Sequence, residues 1–194
     1  MQRQRGFTLV EIAIVLVIIG LLLGGVLKGR ELIQNAKVSN LEKSIKEIRA
    51  AMYTYQDRFK ALPGDDKRAD KHLSSVTSTD NGDGNGAIGG SWASTTNTDE
   101  SRKFWKHLRA AGIISGSGYE QPTHTFGGMI GVYTSTPYGL NYGHAICLAG
   151  LRGDVALLLD TRLDDGLPNT GTMRGHATQT AYLPTSAYNV CTSL

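Results

Sequence analysis

One carboxylate in this chain stands where a charge is expensive. Glu11 lies inside an apolar run from Phe7 to Leu27 that is otherwise broken only by Thr8 and glycines. An acid at the centre of a membrane helix costs on the order of 2.5–3.5 kcal/mol on insertion scales, so Glu11 calls for a positive partner. Further on, Asn81-Gly82-Asp83-Gly84-Asn85-Gly86 sets oxygen-bearing side chains at alternate positions, with a glycine where a calcium loop turns sharply. A full calcium loop would end in a bidentate Glu, and Trp92 stands there instead. The favoured reading is a polar loop in which Asn, Asp and Gly satisfy turn geometry. Calcium on Asn81, Asp83 and Asn85 is left open. Asp160, Asp164 and Asp165 form a second acidic group. Three neighbouring carboxylates repel one another unless a positive charge stands among them, which Arg162 or a cation such as calcium could supply. The favoured reading is a helix end running into an Asp-Gly turn. Paired acids also suit glycoside hydrolysis, but nothing else marks a substrate cleft.

The remaining chemistry-bearing residues form no constellation. His72, His107, His124, His144 and His176 lack a ligand spacing such as His-Glu-x-x-His. Ser115-Gly116-Ser117-Gly118 lacks the glycine that a nucleophile elbow needs at 115. Gly82-Asp83-Gly84 lacks the third glycine and the strand-to-helix setting of a dinucleotide site. The expectation is a chain that is not an enzyme and requires no cofactor.

The elements that hold these groups begin with one long helix. Phe7 to Leu27 is apolar on all faces and about 30 Å long at 1.5 Å per residue, the thickness of a bilayer core. Leu41, Ile45, Ile48, Met52, Tyr55 and Phe59 then recur at alternating four- and three-residue steps, an apolar stripe on one helix face. A sheet should cover that stripe, and Leu62-Pro63-Gly64 should end the helix. Residues 65 to 98 read as loop, with few apolar residues to bury. A helix capped near Thr98 or Asp99 carries Phe104, Trp105, Leu108 and Ala111 and stops at Gly112. Met129 to Tyr133 and Ala145 to Leu148 read as strands, as does Gly171 to Arg174. Asp154 to Asp165 fits a helix capped by Asp154 and ended by Gly166, although Val155 to Leu159 alone could be a buried strand. The fold class is α+β, a long N-terminal helix packed on a small antiparallel sheet with extra short helices.

Gly6-Phe7-Thr8-Leu9-Val10-Glu11 resembles the cleavage and methylation motif of type IV prepilins and type II secretion pseudopilins. The resemblance is close over about the first thirty residues and general beyond them. It implies that prepilin peptidase cuts between Gly6 and Phe7 and N-methylates Phe7. The partner for Glu11 is then the new α-amine of Phe7 on a neighbouring subunit. The implied organisation is a leader at 1–6, a transmembrane and filament-core helix at 7–27, its amphipathic continuation at 28–61, and a globular domain at 62–194. An ordinary signal peptide would be cut after its apolar region at a small-x-small site, and no such triplet follows Gly24-Gly25. Arg3 and Arg5 favour a cytoplasmic leader, which places the globular domain in the periplasm or outside the cell. The implied partners are prepilin peptidase, other copies of the chain or related pilins, an inner-membrane assembly platform and the inner membrane itself.

Two features point in opposite directions within that family. Type IV pilins commonly carry proline where this chain has Lys28, which leans towards pseudopilins or minor pilins. Cys147 and Cys191 are the only cysteines. Outside the cytoplasm an even pair reads as a disulfide. It would pin the tail from Tyr182 to Leu194, resembling the C-terminal disulfide-bounded region of type IV pilins. Pro63-Gly64-Asp65-Asp66, Asn81 to Gly84 and Leu163 to Gly166 resemble a prepilin-like group. The formal charge is +3 over 194 residues, and the leader carries two of the arginines. No basic cluster interleaved with aromatics suggests nucleic acid. The rival reading is a membrane-anchored periplasmic binding protein or enzyme that never polymerises and is indifferent to Glu11.

Overall fold

The computed structural model describes residues 8–140 and 143–194. The chain forms two compact units, Met1–Lys37 and Val38–Leu194, and helix α1 (Leu9–Phe59) contributes to both. Met1 to Phe7, with the expected cut site at Gly6/Phe7, lie outside the described residues.

In the second unit α1 buries Leu41, Ile45, Ile48, Met52 and Tyr55 of the stripe that the sequence marks out, together with Val38 and Ala51. Phe59 packs at its edge. The helix ends before Leu62-Pro63-Gly64. Lys60 takes φ 55°, and its N–H bonds to the Gln56 carbonyl at 2.8 Å. Gly64 has φ 88°, and a Cβ there would press on the Glu100 carbonyl, so only glycine fits this turn.

Residues 65 to 98 are less bare than their composition suggests. They contain α2 (Ala69–His72) and a 3₁₀ turn at Ser78–Asp80. Ala69, Leu73, Val76 and Ile88 anchor them in the core. Helix α3 (Glu100–Ala110) follows the N-cap Asp99 and buries Phe104, Trp105 and Leu108. Gly112, at φ 69°, lies just past its end.

The sheet is antiparallel, in the order β1-β2-β4-β3. Its strands are β1 (Ile130–Thr134), β2 (His144–Arg152), β3 (Met173–Arg174) and β4 (Ala187–Ser193). Alternation separates two faces. Ile130, Val132, Ile146, Leu148, Met173 and Val190 share a buried cluster with the α1 stripe. On the opposite face Cys147 pairs directly with Cys191, and Leu140, Trp92, Tyr133 and Tyr138 cover them. Gly131 lies beneath the Trp92 backbone, where a Cβ would collide with the Trp92 carbonyl.

The ambiguous stretch after β2 is a helix, α4 (Gly153–Leu163). It starts one residue before the expected cap. Asp154 sits in the first turn, where its Oδ1 accepts the Val155 N–H at 2.9 Å and the Arg152 Nε–H at 2.6 Å. The tail expected to be pinned by the disulfide, Tyr182 to Leu194, contains β4, the strand between β2 and β3.

Candidate functional site

The apolar half of α1 is the most conspicuous surface of the chain. Every residue from Thr8 to Lys28 is exposed. Leu9 to Leu27 covers about 28 Å at 1.5 Å per residue. The helix is long and apolar enough to cross a membrane by length and composition. Water does not tolerate a continuous apolar face of this size, so lipid or other helices must cover it. A Cβ added at Gly20, Gly24, Gly25 or Gly29 would meet nothing within 4 Å, so these positions are open to a close neighbour.

Glu11 is held by its own helix end. Its Oε2 accepts the Thr8 N–H at 2.8 Å and the Thr8 hydroxyl at 2.8 Å. The Glu11 N–H in turn donates to Thr8 Oγ1 at 3.2 Å. This is a capping box, in which a side chain and a backbone amide are satisfied in both directions. The reading of the sequence found the carboxylate but not this partner, although Thr-x-x-Glu before an apolar run is its signature. Phe7, whose α-amine is the other expected partner, lies outside the described residues.

The first acidic group is assembled differently from the alternation in the sequence. Asn81 turns to Asp70, accepting its N–H at 3.0 Å and donating to its carboxylate at 2.8 Å. Asn85 donates to Asp83 Oδ2 at 2.8 Å and accepts the Ala87 N–H at 2.7 Å. Asp83 converges instead with Asp65 and Glu100, whose carboxylate oxygens lie within 4.8 Å of one another. Asp65 accepts the N–H groups of Gly84, Asn85 and Gly86 at 2.7, 3.0 and 2.8 Å. Glu100 accepts those of Asp83 and Gly89 at 2.9 and 2.8 Å. Burial pushes the carboxyls of Asp65 and Glu100 up, against those donors. These acids staple the loop, and no single stretch of sequence shows it, because their partners lie 11 to 21 residues away.

The second group does come together. Asp160, Asp164 and Asp165 bring carboxylate oxygens within 4.8 Å of one another. Asp160 is fully buried and accepts the Tyr182 hydroxyl at 2.7 Å and the Gly166 N–H at 3.2 Å. Asp164 accepts the N–H groups of Thr172 and of Met173, the latter at 2.9 Å. Asp165 accepts the Leu167 N–H at 2.9 Å and the Thr170 hydroxyl at 2.5 Å. Burial, with the charges of Asp164 and Asp165, pushes the Asp160 carboxyl up to about 6. Arg162, the suggested counter-charge, points to Glu42 on α1 at 3.1 Å. Three oxygens could hold a hard cation, yet each carboxylate already has two donors from the protein.

Two buried groups serve structure rather than chemistry. His107 accepts the Gly64 N–H at Nδ1, 2.9 Å away, and its Nε2 bonds the Asp80 carbonyl at 3.0 Å. It therefore stays neutral, and burial lowers its pKa to about 4. Asp80 would be raised by burial, but Lys106, Tyr119 and Thr77 together hold it below the usual carboxylate range. Cys147 and Cys191 are joined across β2 and β4.

Residues 1–27 match the family model described as the prokaryotic N-terminal methylation motif. No curated protein and no solved structure matches the chain. The motif is the signal motif of type IV prepilins and pseudopilins, a family that is structural rather than enzymatic. The long N-terminal helix, the four-stranded antiparallel sheet and the short helices make an α+β, pilin-like fold.

Proposed function

From the methylation motif at residues 1–27, we propose that the chain is a structural subunit of a type IV pilus or a related type II secretion pseudopilus. Prepilin peptidase removes residues 1–6 and methylates Phe7. The chain first sits in the inner membrane through residues 7–27, with its leader in the cytoplasm and residues 62–194 in the periplasm. An assembly platform then moves it into a filament of identical or related subunits. The single observation that carries this reading is the motif running directly into an apolar helix whose residues 8–28 are all exposed.

Glu11 is the assembly residue in this reading. Two charges in an apolar filament core are costly apart, and pairing Glu11 with the α-amine of Phe7 on the next subunit sets the register. The capping box offers the carboxylate a partner before assembly, when no neighbour is present. No cofactor is required, nucleic acid is not a partner, and the globular domain is not an enzyme. Glu11→Val should leave cleavage intact and remove the chain from filaments. Normal incorporation of that variant would favour the rival reading, a membrane-anchored binding protein or enzyme that never polymerises.

A further inference from the structure

Among the described residues of the second unit, Val38–Leu194, the exposed large hydrophobic residues are Tyr53, Leu157, Leu167 and Leu183, at 55, 42, 41 and 51% exposure. Three of these four gather on α4. A Cβ on Gly166 would stand 3.7 Å from Leu157 Cδ1, so the turn carrying Leu167 lies beside Leu157. The loop carrying Leu183 bonds the first turn of α4: Gly153 N–H donates to Ser186 O at 2.8 Å. Gly153 and Leu157 are one turn apart on the same helix face. The leucines therefore lie along α4 and its flanking loops, Leu183 beside its first turn, Leu157 on the helix and Leu167 past its end. At its end stands Asp165, exposed and without a salt-bridge partner among the described residues.

The fourth residue lies on a surface of opposite charge. Lys43, Lys46, Ala50 and Tyr53 are all exposed and fall at three- and four-residue steps along α1, away from its buried stripe. Lys43 is paired with Glu47 at 3.5 Å, whereas Lys46 has no salt-bridge partner among the described residues. One strip thus offers leucines beside an exposed carboxylate whose bonds are to neutral donors, the Leu167 N–H and the Thr170 hydroxyl, and the other a tyrosine two turns from an exposed ammonium.

Two different, complementary patches on one chain make a head-to-tail contact, which propagates as an open helical array when it does not close into a ring. We propose that the leucine strip of α4, with Asp165, docks onto the Tyr53 and Lys46 face of α1 in a second copy of this chain. The inference rests on the filament reading above. Tyr53 supplies a large contact at low entropic cost, and Lys46 meeting Asp165 fixes the register.

The test co-expresses two full-length chains in a host with active prepilin peptidase and assembly machinery, one carrying Tyr53→Cys and the other Leu167→Cys. The native cysteines are already paired with each other. Oxidation of isolated filaments should give a mixed dimer, with none when either chain is expressed alone. Filaments that contain both chains and yield no mixed dimer overturn the interface and leave the filament reading standing. Matured chain that never enters a filament overturns both. Separately, Lys46→Glu or Asp165→Lys should each lower filament yield about tenfold, and the two together should restore it to within about threefold. Losses that simply add would remove the charge pairing.

Discussion

Replacing Asp160 with Asn should change the sign of its effect on stability with pH. Asp160 is fully buried, and its carboxyl is pushed from an ordinary 3.8 up to about 6, first by burial and then by Asp164 and Asp165. A displacement of that size is worth roughly 3 kcal/mol at about 1.36 kcal/mol per pH unit. A raised acid pKa means that the native state holds the proton more tightly than the unfolded chain. The native state therefore carries the whole penalty above about pH 6, sheds it between about 6 and 3.8, and carries none below. Asn removes the charge and keeps an acceptor for Tyr182, but loses the bond from Gly166, about 1 kcal/mol. Asp160→Asn should then be about 2 kcal/mol more stable than the wild type near pH 8, and about 1 kcal/mol less stable near pH 3.5. His107 acts in the opposite direction over nearly the same range. Its pKa is lowered from 6.5 to about 4, so acid withdraws stability between those values. Taking the difference between variant and wild type cancels that contribution. The assay is urea unfolding of the full chain in mild detergent with a chelator, followed by the fluorescence of buried Trp105. A difference that does not vary with pH, or a variant less stable near pH 8, would refute the reasoning.

Three further outcomes follow from the geometry. The Cys147–Cys191 bridge spans 44 residues, and a loop of that length is worth about 4 kcal/mol in the chain-entropy model. Replacing both with Ser should lower unfolding stability by up to that amount; no loss would mean that the pairing of β2 with β4 suffices alone. Thr8→Val removes the hydroxyl that bonds Glu11 and should leave peptidase cleavage intact while lowering filament yield several-fold, measured by sedimentation. Unchanged yield would show that the capping box has no part in presenting Glu11. Chelation should shift the melting temperature of the full chain by less than about 2 °C, because protein donors already satisfy Asp160, Asp164 and Asp165. A larger drop that is absent in Asp164→Asn would make the turn a calcium site.

The helix and much of the sheet are legible in the sequence because their burial is periodic. Leu41, Ile45, Ile48, Met52 and Tyr55 repeat at helical spacing and are all buried. Val132, Ile146 and Leu148 fall in short β-rich runs, and both runs are strands. Strand β4 is harder to see. Val190 faces the core cluster and Cys191 the smaller cluster on the other face, so the segment is buried on both sides and shows no clean alternation. Between residues 65 and 98 the anchors Ala69, Leu73, Val76 and Ile88 are scattered singly among Gly, Ser and Asp, and isolated anchors carry no period.

The candidate sites divide along the same line. Asp160, Asp164 and Asp165 lie within six residues of one another across a helix end, so local geometry brings them together. Asn81, Asp83 and Asn85 look alike in sequence, but Asn81 reaches across to Asp70, while Asp83 and Asn85 each accept an N–H two residues on and close their own turns. Asp65 and Glu100 join Asp83 only through the fold. The Thr8–Glu11 box is local and is written in the sequence, although a charge in an apolar run draws the eye to distant partners first.

The most direct measurement is mass spectrometry of the N-terminal peptide, taken separately from sheared surface filaments and from membranes. A mature chain beginning at N-methylated Phe7 is expected. Abundance in the sheared fraction would identify a pilus subunit, and confinement to membranes a pseudopilin or a scarce initiating subunit. An intact leader in both fractions, in a strain with active prepilin peptidase, would contradict the assignment of the chain as a prepilin-type filament subunit.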